Sequence, residues 1–389
     1  MGKYLQYLKG DKVIWIITLI LLGFSLVSVY SFVPILVKIE GGTPFKYLFK
    51  HFIYVLLGLI AMFFVHKKDP SQFSRFARLI FIASILMLGF TFFFGKQVNG
   101  AGRWIKIPFI GLTFQSSDFA KLALMIYLSR LLVKRKEKFN SWKEGAGPIF
   151  FPIILVCGLI FKDNFSTAAL LFGISFLVLF VARFPFSKMI TVMGAGVGLA
   201  ALVVSLHISM PSLNILPRYE TWKNRITNKM ENNSGKVDLV ANAQSINSKI
   251  AIYEGGVMGK GVGDGKLKEY LPEAYADFYY SSFVEEFGSS FAIFLVFIYS
   301  ILFFRIIRIG LRSEKLFETY VCIGIGILLI TQAVVNMMVC TGIFPVTGQN
   351  MPLLAMGGSA LIMTCIALGI VQSIAYRIQK HSASLDEGN

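Results

Sequence analysis

Acidic residues and cysteines are both scarce in this chain of 389 residues. Its 21 Asp and Glu are outnumbered by 38 Lys and Arg, which gives a formal net charge of +17. The four cysteines show no C-x-x-C spacing and no nearby histidine, so neither a zinc site nor a disulfide framework is predicted. No hydrophilic stretch interleaves basic with aromatic residues, and the basic excess therefore does not indicate a nucleic-acid partner.

Long polar stretches are also rare, which excludes ordinary soluble domains. Hydrophobic residues make up 55% of the chain, 37 residues are Phe, and the mean hydropathy is +0.67. The apolar runs approach the ~20 residues that a spanning helix needs, and they lack the alternation of a barrel strand. We predict an all-α polytopic membrane protein forming a single domain over 1–389, with about ten transmembrane helices near 13–37, 50–66, 79–95, 112–133, 148–161, 165–182, 188–206, 283–304, 319–341 and 352–376.

The basic residues predict the orientation of these spans. With the N-terminus inside, the internal segments hold 21 Lys and Arg, whereas the short external loops hold 7. Both termini are therefore expected in the cytoplasm, and the long loop 207–282, between the seventh and eighth spans, outside. The first apolar run is too long for a secretion signal and lacks a small-residue cleavage site, so we expect a retained span.

Five carboxylates lie between Glu269 and Glu286, at the end of this loop, with no Lys or Arg among them. A carboxylate cluster at a membrane face is costly unless it has a function. We predict that Asp277 is the reactive residue, a general base whose proton affinity Glu273 could tune. Glu269 is expected to be solvated.

A new span is predicted to begin around Ala276, which would place Asp277 in its first helical turn. Capping or first-turn acids are common there, so a structural role for Asp277 is the alternative. Glu285 would lie roughly on the Asp277 face two turns deeper, with Glu286 beside it. Burying two adjacent acids inside an apolar run costs free energy, so they need a reason to be there. The sequence leaves open whether that reason is functional or structural.

Before this acidic stretch, the loop contains an apolar stripe at helical spacing: Val240, Ala243, Ile246, Ile250 and Tyr253. The pattern predicts an interfacial or re-entrant amphipathic helix, with Gln244, Asn247, Ser248 and Lys249 off the stripe. A helix that packs on the bundle is an equally good interpretation.

Six glycines follow between Gly255 and Gly265. Their backbone N–H groups could surround an anion, and Lys260 would add a charge for a phosphate. The segment does not match the P-loop template, because Glu254 replaces the first glycine and Gly261 follows the lysine. A glycine-rich hairpin is the more frequent outcome of such a pattern.

Three further polar features lie at or within the spans. Arg103, in N-G-A-G-R-W, is predicted at the outer membrane face, where it could bind a phosphate or anchor in the headgroups. Asp118 and Lys121 are spaced i, i+3 on one helix and predict a structural ion pair. The last external segment, 341–360, combines prolines and glycines in the pattern of a broken helix that lines a cavity.

These segments together resemble the SEDS family (shape, elongation, division and sporulation) over nearly the whole chain. The similar motifs are N-G-A-G-R-W-I at 99–105, L-T-F-Q-S-S-D-F-A-K-L-A-L at 112–124, G-G-V-M-G-K-G-V-G at 255–263, L-P-E-A-Y-A-D-F at 271–278, E-E-F-G at 285–288 and P-V-T-G-Q-N-M-P-L-L-A-M-G-G-S at 345–359. The opening K-G-D-K-V-I-W and N-F-S-T-A at 164–168 look like the family's division member in Bacteroidota.

The resemblance implies a peptidoglycan glycosyltransferase that polymerises lipid II outside the cytoplasmic membrane of a bacterium, with a polyprenyl diphosphate as leaving group. The family's catalytic aspartate carries over to Asp277, and Gln244 and Ser248 match its loop motif. Some of Arg103, Arg225, Lys249 and Lys260 would neutralise the diphosphate. Membrane lipids would hold the substrate tails, and a class B penicillin-binding protein, a transpeptidase, and other division proteins are implied as partners.

The chain departs from the family pattern at several positions. Tyr275 and Ala276 replace the family's His and Thr, Asn164 stands where an acid is common, with Asp163 beside it, and Asn247 replaces the second glutamine of the loop motif. No dedicated ligand set for Mg²⁺ or Mn²⁺ is visible, and assistance by either ion stays open. A lipid II flippase and a non-catalytic division scaffold are the alternative functions.

Overall fold

The computed structural model describes residues 9–98, 101–106, 113–162, 164–210, 219, 223, 243–271 and 274–386. Within that part, the helices are α1 Lys12–Glu40, α2 Pro44–Val65, α3 Pro70–Phe94, α4 Ser116–Lys134, α5 Gly147–Phe161, α6 Phe165–Val181, α7 Phe186–Ser209, α8 Ala243–Gly255, α9 Tyr279–Arg312, α10 Leu316–Cys340 and α11 Gly358–Asp386. Short 3₁₀ turns occupy Lys136–Lys138 and Leu267–Tyr270, and a π turn, Trp142–Ala146, precedes α5.

Ten of these helices coincide with the ten predicted spans, which confirms the all-α polytopic fold. Eight described helical stretches are long and apolar enough to cross a membrane, and the shorter apolar α6 and the more polar α4 complete the set. The last span was predicted to begin near residue 352, but α11 begins at Gly358. The preceding segment stays irregular, because Pro352 cannot donate a helical hydrogen bond and Leu353 adopts a φ of 64°.

A three-stranded antiparallel sheet between α3 and α4 was not predicted. It consists of β1 Lys96–Val98, β2 Ala101–Lys106 and β3 Thr113–Gln115, in that order, with Trp104 paired to Gln115. Aromatic and β-branched residues favour such short strands. The backbone N–H of Gln115 donates to Ser359 Oγ at 3.1 Å, so the sheet is tied to the start of α11.

The central helix α10 joins the two halves of the hydrophobic core. One cluster of buried side chains comes mainly from α1, α2, α9, α10 and α11, and the other comes mainly from α3, α4, α5, α6 and α10. Most side chains of α7, in contrast, are exposed. Since exposed apolar side chains cover the perimeter of the bundle, its surface suits a lipid environment.

The two ends of the bundle differ in their contents. At one end, called the termini face here, Asp11 caps α1 and forms an ion pair with Arg305 at 3.3 Å, and Gln372 of α11 hydrogen-bonds the Asp11 backbone. The opposite end, called the loop face, carries α8 and the beginning of α9. The acidic stretch therefore lies at the end of the molecule opposite the described termini.

Candidate functional site

Asp277 lies just outside α9, and the prediction of a first-turn position is wrong. The helix begins at Tyr279 with Phe278 as its cap residue, so Asp277 belongs to the turn before the helix. Its side chain is half-buried. The carboxylate faces Gly348, where a Cβ would come within 3.5 Å of Asp277 Oδ2. Gly348 has a φ of 70°, and this turn keeps the space beside the carboxylate free of a side chain.

Asn336 of α10 holds the backbone of this turn. Its Nδ2 donates to the carbonyl oxygens of Asp277 at 3.0 Å and Gln349 at 2.8 Å, with Ala276 O at 3.4 Å. Its Oδ1 accepts from the backbone N–H of Tyr280 at 3.4 Å. One buried amide therefore ties the Asp277 turn, the first turn of α9 and the Gly348 turn to a central helix.

The polar contacts continue from this turn into the bundle. Gln349 Nε2 donates to Thr167 Oγ1 at 2.6 Å, and both residues line a small internal cavity together with Lys121. Lys121 forms the expected ion pair with Asp118 at 2.9 Å, and Ser359 Oγ donates to the other Asp118 oxygen at 2.9 Å. Each oxygen of this buried carboxylate thus has a partner, as a stable buried charge requires.

Glu285 and Glu286 are both buried, and the two carboxylates make different polar contacts. Glu286 forms an ion pair with Lys268 at 2.5 Å, and the Ser31 hydroxyl of α1 bonds to both of these side chains. Glu285 Oε1 accepts from the backbone N–H groups of Lys266 and Leu267. The expected alignment of Glu285 with Asp277 on one helical face fails, because Asp277 precedes the helix. The pair instead fixes the 3₁₀ turn to α9 and α1.

The glycine-rich segment binds protein backbone. Lys260 N donates to Glu285 O and Gly261 N to Glu286 O, both at 3.0 Å. A Cβ at Gly259 would collide with Glu286 O, which explains a glycine there without a ligand. The Lys260 ammonium pairs with Glu254 at 2.6 Å, and this hydrogen bond raises the pKa of Lys260. The described contacts match the hairpin alternative.

Helix α8 packs through a face that the apolar stripe did not identify. Ser248, Ala251 and Gly255 are buried, whereas Ile250 and Tyr253 of the stripe are exposed. Small residues are needed because a Cβ at Gly255 would collide with the α9 backbone. Val240 of the stripe lies outside the described residues.

The buried face of α8 brings the predicted binding residue Ser248 to the end of α10. Ser248 Oγ donates to Cys340 O at 2.8 Å, and Cys340 in turn contacts the Asp277 backbone oxygen through its Sγ at 4.0 Å. Lys249 is exposed beside Gly342, and Gln244 is exposed on the first turn of α8. Among the predicted cations, Lys249 directly follows Ser248 in the chain, and Ser248 connects α8 through Cys340 to the Asp277 turn.

The remaining predicted residues are described in part or not at all. Arg103 lies on β2, and the description there is limited to the backbone. Arg225, Glu273 and Asp163 lie outside the described residues. Among the residues that the structure does describe, no group of three or more His, Cys, Asp or Glu side chains is placed to hold a metal ion.

Sequence reasoning missed Asn336 and Lys268. Asn336 sits in the apolar run of α10, where a buried amide is costly without partners, and this isolation was the available signal. Lys268 directly precedes the acidic stretch, so a search for its neutralising partner one residue upstream would have found it.

The chain is similar to known proteins over almost its full length. Residues 11–380 match the family model FtsW/RodA/SpoVE, described as cell cycle protein. It is 30% identical to a protein of Geobacter sp. (strain M18) and to one of Coxiella burnetii, each named "Probable peptidoglycan glycosyltransferase FtsW". Each alignment covers 95% of this chain and 97% of the relative.

Two solved structures share the fold. The first, described as "Structural coordination of polymerization and crosslinking by a peptidoglycan synthase complex", has a TM-score of 0.71 at 22% identity, covering 95% of this chain and 98% of that one. The crystal structure of the rod shape determining protein RodA of Thermus thermophilus has a TM-score of 0.64 at 23% identity, covering 94% and 96%. The expected family is confirmed, and this chain belongs to the FtsW/RodA/SpoVE family of cell cycle proteins.

Proposed function

We propose that this protein is a peptidoglycan glycosyltransferase that polymerises lipid II, with Asp277 as the general base. The observation that carries the proposal is the Asp277 turn: a half-buried carboxylate beside Gly348, its backbone held at 3.0 Å by Asn336. A base must be both accessible and fixed to abstract a proton efficiently. Named relatives at 30% identity support the activity.

In the proposed reaction, the 4-hydroxyl oxygen of one lipid-linked glycan forms a bond to the anomeric carbon of another. The bond between that carbon and the diphosphate oxygen breaks, the hydroxyl proton passes to Asp277, and the polyprenyl diphosphate leaves. Its negative charge requires cations near the leaving oxygen. Lys249 is the first candidate, since Ser248 and Cys340 connect its helix to the Asp277 turn.

The other predicted binding groups have weaker or no described connection to the reaction centre. Lys260 already forms an ion pair with Glu254, which a diphosphate would have to displace. Arg103 and Glu273 stay part of the proposal because they lie in the family motifs, and Arg225 stays part of it as a candidate cation of the long loop. Polymerisation in the presence of EDTA, followed by restoration with Mg²⁺ or Mn²⁺, decides whether a metal ion assists the diphosphate.

We further propose that the loop face lies outside the bacterial cytoplasmic membrane and that both termini are cytoplasmic. The bias of Lys and Arg toward the segments at the termini face supports this orientation. A role in cell division, the Bacteroidota branch of the family, and a class B penicillin-binding protein as partner belong to the same proposal. The structural neighbour that is described as coordinating polymerization and crosslinking supports the partner.

The direct test uses the full chain in lipid nanodiscs, with and without the transpeptidase, and follows glycan chain length from lipid II. Asp277→Asn should abolish polymer formation without lowering the thermal unfolding midpoint. Glu269→Gln, an exposed acid of the same stretch, is the matched control and should retain activity. Normal polymer yield from Asp277→Asn would refute the assignment.

Two further measurements separate the alternative functions. Labelled lipid II is incorporated into sealed proteoliposomes. A flippase would move the label to the other leaflet, whereas a polymerase would increase the length of the glycan chain. Complementation of a depleted strain by Asp277→Asn would instead support a scaffold that does not catalyse.

A further inference from the structure

The glycine-rich segment completes a break in α9. Gly288, with φ 85° and ψ 169°, interrupts this helix and leaves carbonyl groups above the break and N–H groups below it without helical partners. Lys260 and Gly261 donate to the carbonyls of Glu285 and Glu286. Below the break, Ser289 N and Ser290 N donate to the carbonyls of residues 256 and 257, at 2.9 and 3.3 Å. The loop is therefore fixed at a defined height along α9.

The lengths of α1 and α9 between their shared contacts give this height. Arg305 and Asp11 form an ion pair at the termini face, and this charged pair is taken as the boundary of the hydrocarbon core on that side. Along α9, Glu286 lies 19 residues before Arg305, or about 28 Å at 1.5 Å per residue. Along α1, Ser31, which bonds Glu286, lies 20 residues after Asp11, or about 30 Å. Both distances match the ~30 Å hydrocarbon core, so Glu286 lies near its boundary at the loop face.

The tip of the segment lies deeper than this boundary. Ser290 lies on the membrane-centre side of the break at Gly288, and both its N–H and its hydroxyl donate to Val257 O. The tip side chains are apolar and point away from the protein, with Val257 67% and Met258 85% exposed. Just below them, α9 exposes Phe294 and Phe297. The tip is thus continuous with the apolar perimeter of the bundle.

Charged groups lie on the other side of the tip. Lys260 bonds one turn higher, at Glu285, and its side chain pairs with the exposed Glu254. From the membrane centre outward, exposed apolar side chains are thus followed by charged side chains, as at the border between acyl chains and headgroups.

We propose that Val257 and Met258 insert among the acyl chains of the leaflet at the loop face, which makes the glycine-rich segment a re-entrant wedge. The wedge anchors α8, through Gly255, at the membrane border. Its chemistry is recognition of a lipid surface by apolar side chains, and it is independent of the glycosyltransferase reaction. A transmembrane helix of another protein could cover the same side chains and would give a different result in the test.

Nitroxide accessibility measures this insertion directly. Met258→Cys and, in a second variant, Val257→Cys are spin-labelled in a Cys157→Ser chain, since the other native cysteines are buried. The purified protein is placed in nanodiscs without partners. Phe297→Cys is the matched lipid standard and Glu269→Cys the aqueous standard. Collisions with oxygen, which concentrates in hydrocarbon, are compared with collisions with a water-soluble nickel chelate.

Insertion predicts that the labels at positions 257 and 258 favour oxygen over the nickel chelate, as at Phe297, with the reverse preference at Glu269. The wedge would be overturned if the labels at positions 257 and 258 both collided with the nickel chelate as often as the label at position 269 does. Protection from both reagents would also overturn it, because the tip would then be covered by protein. The readout does not depend on turnover, so an inactive or differently acting protein leaves the result interpretable.

Discussion

Replacing Asn336 with Ala should inactivate the protein more than its cost in stability explains. The substitution removes the donors to the carbonyls of Asp277 and Gln349 and the acceptor for Tyr280 N–H. Each buried group left without a partner costs about 1–3 kcal/mol. Losing the two strong hydrogen bonds to these carbonyls should therefore lower the free energy of unfolding by about 2–6 kcal/mol. The lower value applies if the Asp277 turn moves so that its carbonyl reaches water.

That movement is what should reduce turnover. A displacement of a reacting group by ~1 Å can cost on the order of 10²-fold in rate. We expect kcat for lipid II polymerisation to fall by this order, whereas KM should change little because Asn336 is buried and its amide is occupied by backbone groups. Asn336→Asp should not rescue the rate, since it retains the acceptor but replaces the donor with an oxygen that faces carbonyl groups.

The matched control for this prediction is Gln372→Ala. Gln372 is also buried and makes two hydrogen bonds to the Asp11 backbone, at 2.7 and 2.8 Å, but at the termini face. Rates over a range of lipid II concentrations are measured together with thermal unfolding midpoints. Equal losses of kcat at equal losses of stability in Asn336→Ala and Gln372→Ala would show that Asn336 stabilises the fold without positioning Asp277.

Other substitutions test the surrounding contacts. Lys268→Met should destabilise the protein by about 3–5 kcal/mol because it leaves Glu286 buried without its cation, and adding Glu286→Leu should recover much of the loss in a thermal unfolding assay. Gly259→Ala should lower the unfolding midpoint, because its φ of 78° and the adjacent Glu286 carbonyl exclude a Cβ; an unchanged midpoint would contradict the docked loop. Lys260→Ala should change the midpoint little, since an exposed ion pair is screened by solvent and contributes little to stability, and a raised KM for lipid II would then assign its ammonium to the diphosphate.

The ten spans could be predicted because a membrane helix is a local property. Each needs only a continuous apolar run of sufficient length, and neighbours in sequence supply that information. The i, i+3 ion pair of Asp118 and Lys121 was equally accessible, because one helix places both side chains on one face. Element ends were less predictable: Pro352 and the left-handed Leu353 delay α11, and only the surrounding packing determines where the helix resumes.

The buried face of α8 shows why hydrophobic periodicity alone does not identify the packed side of a helix. An apolar stripe was expected to mark either lipid contact or packing, and both interpretations were open. The structure exposes Ile250 and Tyr253 and buries Ser248, Ala251 and Gly255, and the close approach of the α9 backbone leaves no space for a Cβ at Gly255. Steric fit between two backbones separated by many residues is not encoded in the local pattern.

The sequence by itself determined the class of protein, the number of spans and the segment that contains Asp277, since apolar runs and local motifs are both contiguous in the chain. The tertiary structure decided how that segment is held: Asn336 binds Asp277 from 59 residues away, and Lys268 and Ser31 neutralise and anchor Glu286. It also showed that the glycines serve backbone contact with a broken helix. These contacts depend on distances between helices that are remote in the chain, and buried polar groups select their partners only when the packed bundle brings them within hydrogen-bonding distance.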